Sequence, residues 1–323
     1  MNRWMAAPLL ALVAVAVWPQ QQPQPPAGGA PGGPGRGGRG GGFTQPDPID
    51  FADNTGWKPL FDGETLNGWD GNKQIWHVEN GAIVAESTCE KPTGTTYLIW
   101  QGGEPGDFEL KAELRGEGAG INSGIQYRSF HQEPGQGRGG GPGGPGGGPG
   151  AVGGGPGGPG GAQGPAGGFP GGRGGRGPTG PCPSGQPRGT PDMAANAKWN
   201  LGGPQADFDG TNRYTGQYYE GGTQRGIVAW RGQLVRAEES KKPRLLANLG
   251  DRDELGGYVK INDWNQIHII ARGNELIHIV NGHVMSVFLD DDPTKFRKSG
   301  VIALQIEGTG KVSFRNIWIK MAQ

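Results

Sequence analysis

Several short runs of this chain alternate apolar and polar residues at period two and close on Asn-Gly or Asp-Gly pairs. A helix has no use for that combination, whereas antiparallel hairpins require it. In "WHVENGAIVA", Asn80-Gly81 supplies the positive φ angles of a type I′ turn and sets Val78 opposite Ile83. "DFELKAELR" places Phe108, Leu110, Ala112 and Leu114 on one side, facing a core. "WNQIHIIARGNELIHIVNG" reads as two strands around Gly273-Asn274 with a second turn at Asn281-Gly282. "GVIALQIEGTGKVSFRNIWIK" reads as a final hairpin in which Ile302, Leu304 and Ile306 point one way. No stretch carries a helical stripe with caps, so the expected class is all-β, a jelly-roll β-sandwich.

Composition limits how much of the chain takes part. Of 323 residues, 68 are Gly and 28 are Pro. They concentrate in residues 23–42 and 135–178, which lack both the strict three-residue period of collagen and the apolar residues that would offset ordering. Both tracts are expected to be disordered. The resulting division is a signal peptide at 1–20, a Pro/Gly-rich linker at 21–50, and one β-sandwich domain at 51–323 interrupted by a Gly-rich insertion at 134–178.

The start, "MNRWMAAPLLALVAVAVWPQ", has Arg3, an apolar run too short for a comfortable membrane span, and small residues near its end. That pattern predicts export to the periplasm or outside, with no membrane anchor on the mature form. In an oxidising compartment the only two cysteines, Cys89 and Cys182, are expected to pair, stapling "PCPSGQPRGTP" after the flexible tract. Thirty basic and thirty acidic residues balance, so nothing favours nucleic acid or an anionic membrane, despite RGG-like arginines in the glycine tracts. The oligomeric state is not legible.

One strand looks unlike a scaffold. In "INSGIQYRSF", Ile121, Ser123, Ile125 and Tyr127 share one side, while Asn122, Gly124, Gln126 and Arg128 share the other. The second row holds amides and a guanidinium, groups suited to a polar ligand. In "PQADFDG", Gln205, Asp207 and Asp209 share a side, and in "NRYTGQYYEGG" so do Tyr214, Tyr218 and Glu220. His278 and Gln305 sit mid-strand among apolar neighbours.

The stretches "GWKPLFDGETLNGWDG", "WHVENGAIV", "GDFELKAELR", "NSGIQYRS", "WNQIHIIARGNELIHIVNG" and "IALQIEGTGKVSFRNIWIK" resemble, in this order, the 3-keto-disaccharide hydrolase domain family. That resemblance implies a concanavalin A-like lectin/glucanase jelly roll that binds sugars along the concave face of one sheet and cleaves disaccharides or glucosides oxidised at C3. One departure stands out: about 70 residues separate the NSGI strand from "GGPQADFDG", where Gln205 replaces a common Glu and Asp207 a common Gln, while Asp209 matches.

A ketone at C3 acidifies the C2 proton, so a base can remove it, the C1 substituent can leave, and water can add back. Such a route needs a base, a donor or cation at the C3 oxygen and an acid for the leaving oxygen, but no pair of glycosidase carboxylates. The candidate catalytic residues are Arg128, Asp207, Asp209, Glu220 and His278. The candidate sugar-binding residues are Asn122, Gln126, Gln205, Tyr214, Tyr218 and Gln305. Two other classes stay open: a non-catalytic carbohydrate-binding module and an ordinary jelly-roll glycosidase. No Gly-x-Gly-x-x-Gly follows a strand, so no nicotinamide cofactor is implied. Asp207, Asp209 and Glu220 are donors that Ca²⁺ would accept, but no loop has a calcium-ligand spacing.

Overall fold

The computed structural model describes residues 49–132 and 189–322, all within one compact unit spanning 48–323. Fifteen strands are assigned among the described residues. The first five are β1 (Lys58–Pro59), β2 (Trp69–Asp70), β3 (Trp76–Glu79), β4 (Ala82–Ser87) and β5 (Thr96–Trp100). A long β6 (Phe108–His131) follows, then β7 (Leu201–Asp209), β8 (Tyr218–Gly221), β9 (Gly226–Ala229), β10 (Gln233–Glu238) and β11 (Arg244–Asn248). The last are β12 (Asn265–Arg272), β13 (Glu275–Val280), β14 (His283–Asp291) and β15 (Val301–Met321).

The layering rests on β6 and β15. The first half of β6 pairs β12, its second half pairs β7, and β15 follows it antiparallel through both halves. Phe108 and Tyr127 lie 19 residues apart on β6, about 60 Å if the strand were straight. Their rings meet at 6.2 Å. The strand therefore folds over on itself, and β15 folds with it. Gly310 marks the bend: its φ is 143°, and a Cβ there would stand 2.4 Å from the Glu117 carbonyl. The outcome is a two-layer all-β sandwich. One layer runs β11-β10-β14-β13-β12-β6-β15-β4-β3, and the other carries β9, β8, β7, the second half of β6, the first half of β15, β5 and β2. Phe108, Leu110, Ala112 and Leu114 from the first layer meet Ile125, Tyr127, Phe208, Tyr218 and Leu304 from the second in one buried core.

The hairpins form where the turn chemistry placed them. Val78 faces Ile83 across Asn80-Gly81, with Asn80 at φ 50°, and Val280 faces His283 across Asn281-Gly282, with Asn281 at φ 50°. The expected last hairpin does not form. "GTG" bends β15 without reversing it, because both halves keep pairing with β6. Two single-turn helices, α1 (Met193–Asn196) and α2 (Arg252–Gly256), are capped by Asp192 and Asp251 and are too short to print a helical period. Among the described residues no helix is long and apolar enough to cross a membrane. The expected signal peptide, linker and glycine-rich insertion lie outside the described residues, apart from Ile49 and Asp50. Cys89 is disulfide-bonded, and Cys182 lies outside them too.

Candidate active site

Strand register brings a block of polar side chains onto the outer face of the second layer. Tyr219, Gln205 and Gln126 form one row across β8, β7 and β6. Asp207, Gly124, Gln305 and Tyr97 form the next, across β7, β6, β15 and β5. Asp209, Asn122 and Glu307 form a third. Alternate residues Ile121, Ile125, Ala206, Phe208, Leu304 and Ile306 turn into the core, so the outward parity is polar here, giving way on β15 and β5 to Ala303 and Ile99, which pack in a separate apolar cluster with Trp199 and Leu201.

The amides of this face are wired head to tail. Ser129 Oγ donates to Gln126 Oε1 (2.6 Å), Gln126 Nε2 to Gln205 Oε1 (2.9 Å) and Gln205 Nε2 to Gln305 Oε1 (2.6 Å). Gln305 Nε2 then reaches toward Tyr97 OH at 3.4 Å. The chain crosses β6 directly over Gly124, where a Cβ would lie 2.3 Å from Gln205 Nε2 and 2.6 Å from the Ala206 carbonyl. Only glycine leaves room for the crossing. Linked, buried amides polarise one another and hold a fixed direction, which pre-orients the face.

Asp207 sits in the middle of it, 8% exposed. Its Oδ2 accepts from Gln217 Nε2 at 2.6 Å and its Oδ1 from Gln205 Nε2 at 3.4 Å. Loss of hydration pushes its pKa well above the ordinary carboxylate range, and the charges of Asp209 and Glu307 push the same way against the Gln217 bond. Tyr219 is pushed up to about 12 by burial and then by the charges of Asp207 and Glu307, so its hydroxyl keeps its proton at neutral pH. Burial likewise raises Tyr97. Two acceptor atoms flanking this row, Asn122 Oδ1 and Gln217 Oε1, are buried with no hydrogen-bond partner. Unmatched buried acceptors are costly, and a ligand hydroxyl is the group that would satisfy them.

The structure brings Asn122, Gln126, Gln205, Asp207 and Gln305 together with Asp209 at the edge of the face, and leaves Arg128, Tyr214, Tyr218, Glu220 and His278 elsewhere. Arg128 is not in the row. It adopts φ 47° at a register shift between Gln126 and Phe130, and this bulge turns its side chain out of the alternation. Its guanidinium, 0% exposed as a residue, donates to the carbonyls of Gly106 (2.9 Å), Gly273 (2.7 Å) and Arg297 (3.3 Å) and to Asp107 (2.9 Å), tying three loops together. The Asp209 carboxylate serves its own turn, accepting from Thr211 Oγ1 (2.6 Å), Arg213 N (3.0 Å) and Tyr214 N (2.9 Å). Tyr214 sits in that turn, half-buried.

Tyr218 and Glu220 face the interior instead. Tyr218 donates to Glu220 (2.8 Å), and Arg225 bridges Glu220 (2.8 Å) to Asp290 (2.7 Å through each of two nitrogens). His278 is interior as well. Its Nδ1 faces the Gln217 carbonyl at 3.2 Å, an acceptor only, so Nδ1 carries the proton and Nε2 accepts from Tyr127 OH at 2.7 Å. Burial holds its pKa down at about 4, leaving it neutral at physiological pH. It supports the backbone of Gln217 from below and does not touch the polar face.

Reasoning from period two missed Gln217, Tyr219, Tyr97 and Glu307. In "QYYEGG" the parities Gln217/Tyr219 and Tyr218/Glu220 are equally amphipathic, so alternation alone does not choose between them. For Tyr97 and Glu307 the only signal was register, of β5 with β15 and of β15 with β6, which a single sequence does not carry.

The model of the 3-keto-alpha-glucoside-1,2-lyase-like domain family matches residues 56–142 and 188–320, taking in every residue of the polar face. The chain belongs to that family. In this lyase-like domain the match is interrupted across 143–187, most of it glycine-rich sequence. Among solved structures, a candidate glycosyl hydrolase of Parabacteroides distasonis ATCC 8503 is 16% identical with a TM-score of 0.42, covering 82% of this chain and 99% of its own. The carbohydrate binding module CBM66 of Bacillus subtilis is 10% identical with a TM-score of 0.39, covering 78% and 95%. No curated protein matches the chain.

Proposed function

We propose that the Asp207 face cleaves glycosides of a 3-keto sugar by elimination followed by hydration. The observation that carries this reading is a buried carboxyl of raised basicity, Asp207, set beside two unpartnered amide oxygens within a pre-oriented amide chain. As its carboxylate, Asp207 takes the C2 proton. The C2–H electron pair becomes the C2=C3 enolate, whose oxygen is stabilised by the Gln305 N–H not directed at Tyr97, since both Gln205 N–H groups are committed to Gln305 Oε1 and the Ser123 carbonyl. Collapse of the enolate forms C1=C2 and expels the C1 oxygen with its bonding pair. Tyr219, protonated at neutral pH, donates to that oxygen, and water adding across C1=C2 completes net hydrolysis. The family's own description, a 1,2-lyase acting on 3-keto-alpha-glucosides, supports the elimination half of this sequence.

A paired-carboxylate glycosidase fits less well, because Asp209 is committed to its turn. A binding module needs the amide chain but no carboxyl of raised basicity. Among the described residues no three His, Cys, Asp or Glu are grouped to hold a metal ion. The disulfide at Cys89 supports an exported, oxidising setting.

The test is turnover in D₂O of a 3-keto-glucoside against its unoxidised parent. Cleavage of the keto sugar alone, with deuterium at C2 of the product, is the expected result. Cleavage of both substrates would establish the glycosidase. Binding with neither cleavage nor C2 exchange would establish the binding module.

A further inference from the structure

The opposite outer surface of the sandwich carries a second groove, of about 700 Å³, lined by Glu113, Tyr258, Lys260, Trp264, Gln266 and Arg315 among others. Such a volume falls within the range of about 300–1,000 Å³ usual for small-molecule sites. Register places Gln266 on β12 beside Glu113 on β6, with Arg315 on β15 at its other side. Their neighbours Ala112, Leu114 and Ile267 point into the core, so these three side chains point away from the core and from the Asp207 layer.

The groove is pre-formed. Arg315 Nε donates to Glu113 at 2.7 Å while its guanidinium lies 4.1 Å from the Trp264 ring centroid. Tyr258 is stacked on His283 with centroids 3.4 Å apart and planes at 11°, yet remains 41% exposed. With one side of its ring occupied by His283, the exposed surface is the other side and the edge. Asn265 ties the intervening loop by accepting from Lys260 N (2.8 Å) and donating to the Lys260 carbonyl (2.8 Å), and Asn281 Nδ2 donates to the Tyr258 carbonyl (2.8 Å). A rigid aromatic platform over planar polar groups suits the C–H face and hydroxyls of a pyranose at small ordering cost.

We infer that this groove is a second carbohydrate-binding site that takes a neutral oligosaccharide. Charge selects the class: Glu113 is neutralised by Arg315, and Lys260 and Asp263 contribute one charge of each sign, so the groove has no cation excess with which to hold an anionic glycan. Because the two grooves lie on opposite outer faces, an occupant here leaves the Asp207 face free. The inference does not depend on what Asp207 does.

Calorimetric titration of the full chain with cello-, malto-, laminari- and xylohexaose, and with polygalacturonate as the anionic comparison, tests it. At least one neutral chain is expected to bind wild type and Asp207→Asn alike. Tyr258→Ala, at an exposed position where folding is safe, is expected to weaken that binding roughly tenfold or more while the melting temperature is kept. Gln266→Ala is expected to weaken it as well. Failure of every neutral chain to bind, binding of polygalacturonate alone, or wild-type affinity in both variants would each overturn the site. Because Asp207→Asn retains the second groove, failure of the cleavage reading leaves these outcomes readable.

Discussion

Replacing Asp207 by Asn separates a catalytic carboxyl from a structural one through two readouts of opposite sign. The native pKa of Asp207 is raised from the ordinary 3.8, with burial the largest cause. Between those two values the folded chain keeps a proton that the unfolded chain has lost. Wild-type stability from this group is therefore full at low pH, falls as pH rises through the window, and levels off above the native pKa. Asn at this position has no such dependence. The stability difference, variant minus wild type, should grow by about 1.4 kcal/mol per pH unit across the window, roughly 3–5 °C per unit for a domain of this size. Within the window Asp207 is protonated in the folded chain, so Gln217 Nε2, 2.6 Å from Oδ2, exchanges one neutral bond for another and adds little offset. Turnover on a 3-keto-glucoside should meanwhile drop about 10²–10⁴-fold with the loss of the base. Differential scanning fluorimetry of both proteins from pH 4 to 9, beside initial rates, reads both effects. Parallel melting curves across that range would refute the burial argument, and turnover within a few-fold of wild type would remove Asp207 from the mechanism.

Three further perturbations reach other parts of the argument. Gly124→Ala sets a Cβ 2.6 Å from the Ala206 carbonyl and 2.3 Å from Gln205 Nε2; overpacking should cost about 1–3 kcal/mol in a urea melt and lower turnover by breaking the amide chain, whereas wild-type behaviour in both would mean the chain can reroute. Arg128→Ala leaves three loop carbonyls and the half-exposed Asp107 without their shared donor and should cost about 3 kcal/mol, at about 1 for each lost bond to a carbonyl, with kcat per folded molecule unchanged; a selective loss of kcat would restore Arg128 to the reaction. His278, held near 4 against an ordinary 6.5, contributes stability that is lost as pH falls from about 6.5 toward 4, worth about 3 kcal/mol, so His278→Gln should flatten the acid limb of the Tm profile, and an unchanged limb would show that another group sets it.

The sequence by itself determined the class of fold, the hairpins and the inward faces. These are local properties: Asn80-Gly81 and Asn281-Gly282 choose their turns by φ, and period two commits Phe108, Leu110, Ala112 and Leu114 to the core whatever lies across from them. It also put Asn122, Gln126, Gln205, Asp207 and Gln305 on polar faces, because each strand's parity could be read within that strand. Tertiary structure decided the rest. The bulge at Arg128 breaks the alternation through a left-handed backbone angle that no neighbouring residue announces, and four fixed acceptors then hold it there. "GTG" is equally good turn chemistry and bend chemistry, and only pairing with β6 on both sides made β15 one strand. Parity within "QYYEGG" was a free choice until β7 fixed the register, turning Tyr219 outward and Glu220 toward Arg225. The raised pKa of Asp207 is the most non-local property of all, since it depends on the water excluded by the packed strands and on the charge of Glu307, which register alone brings near, added to that of Asp209 two residues along its own strand.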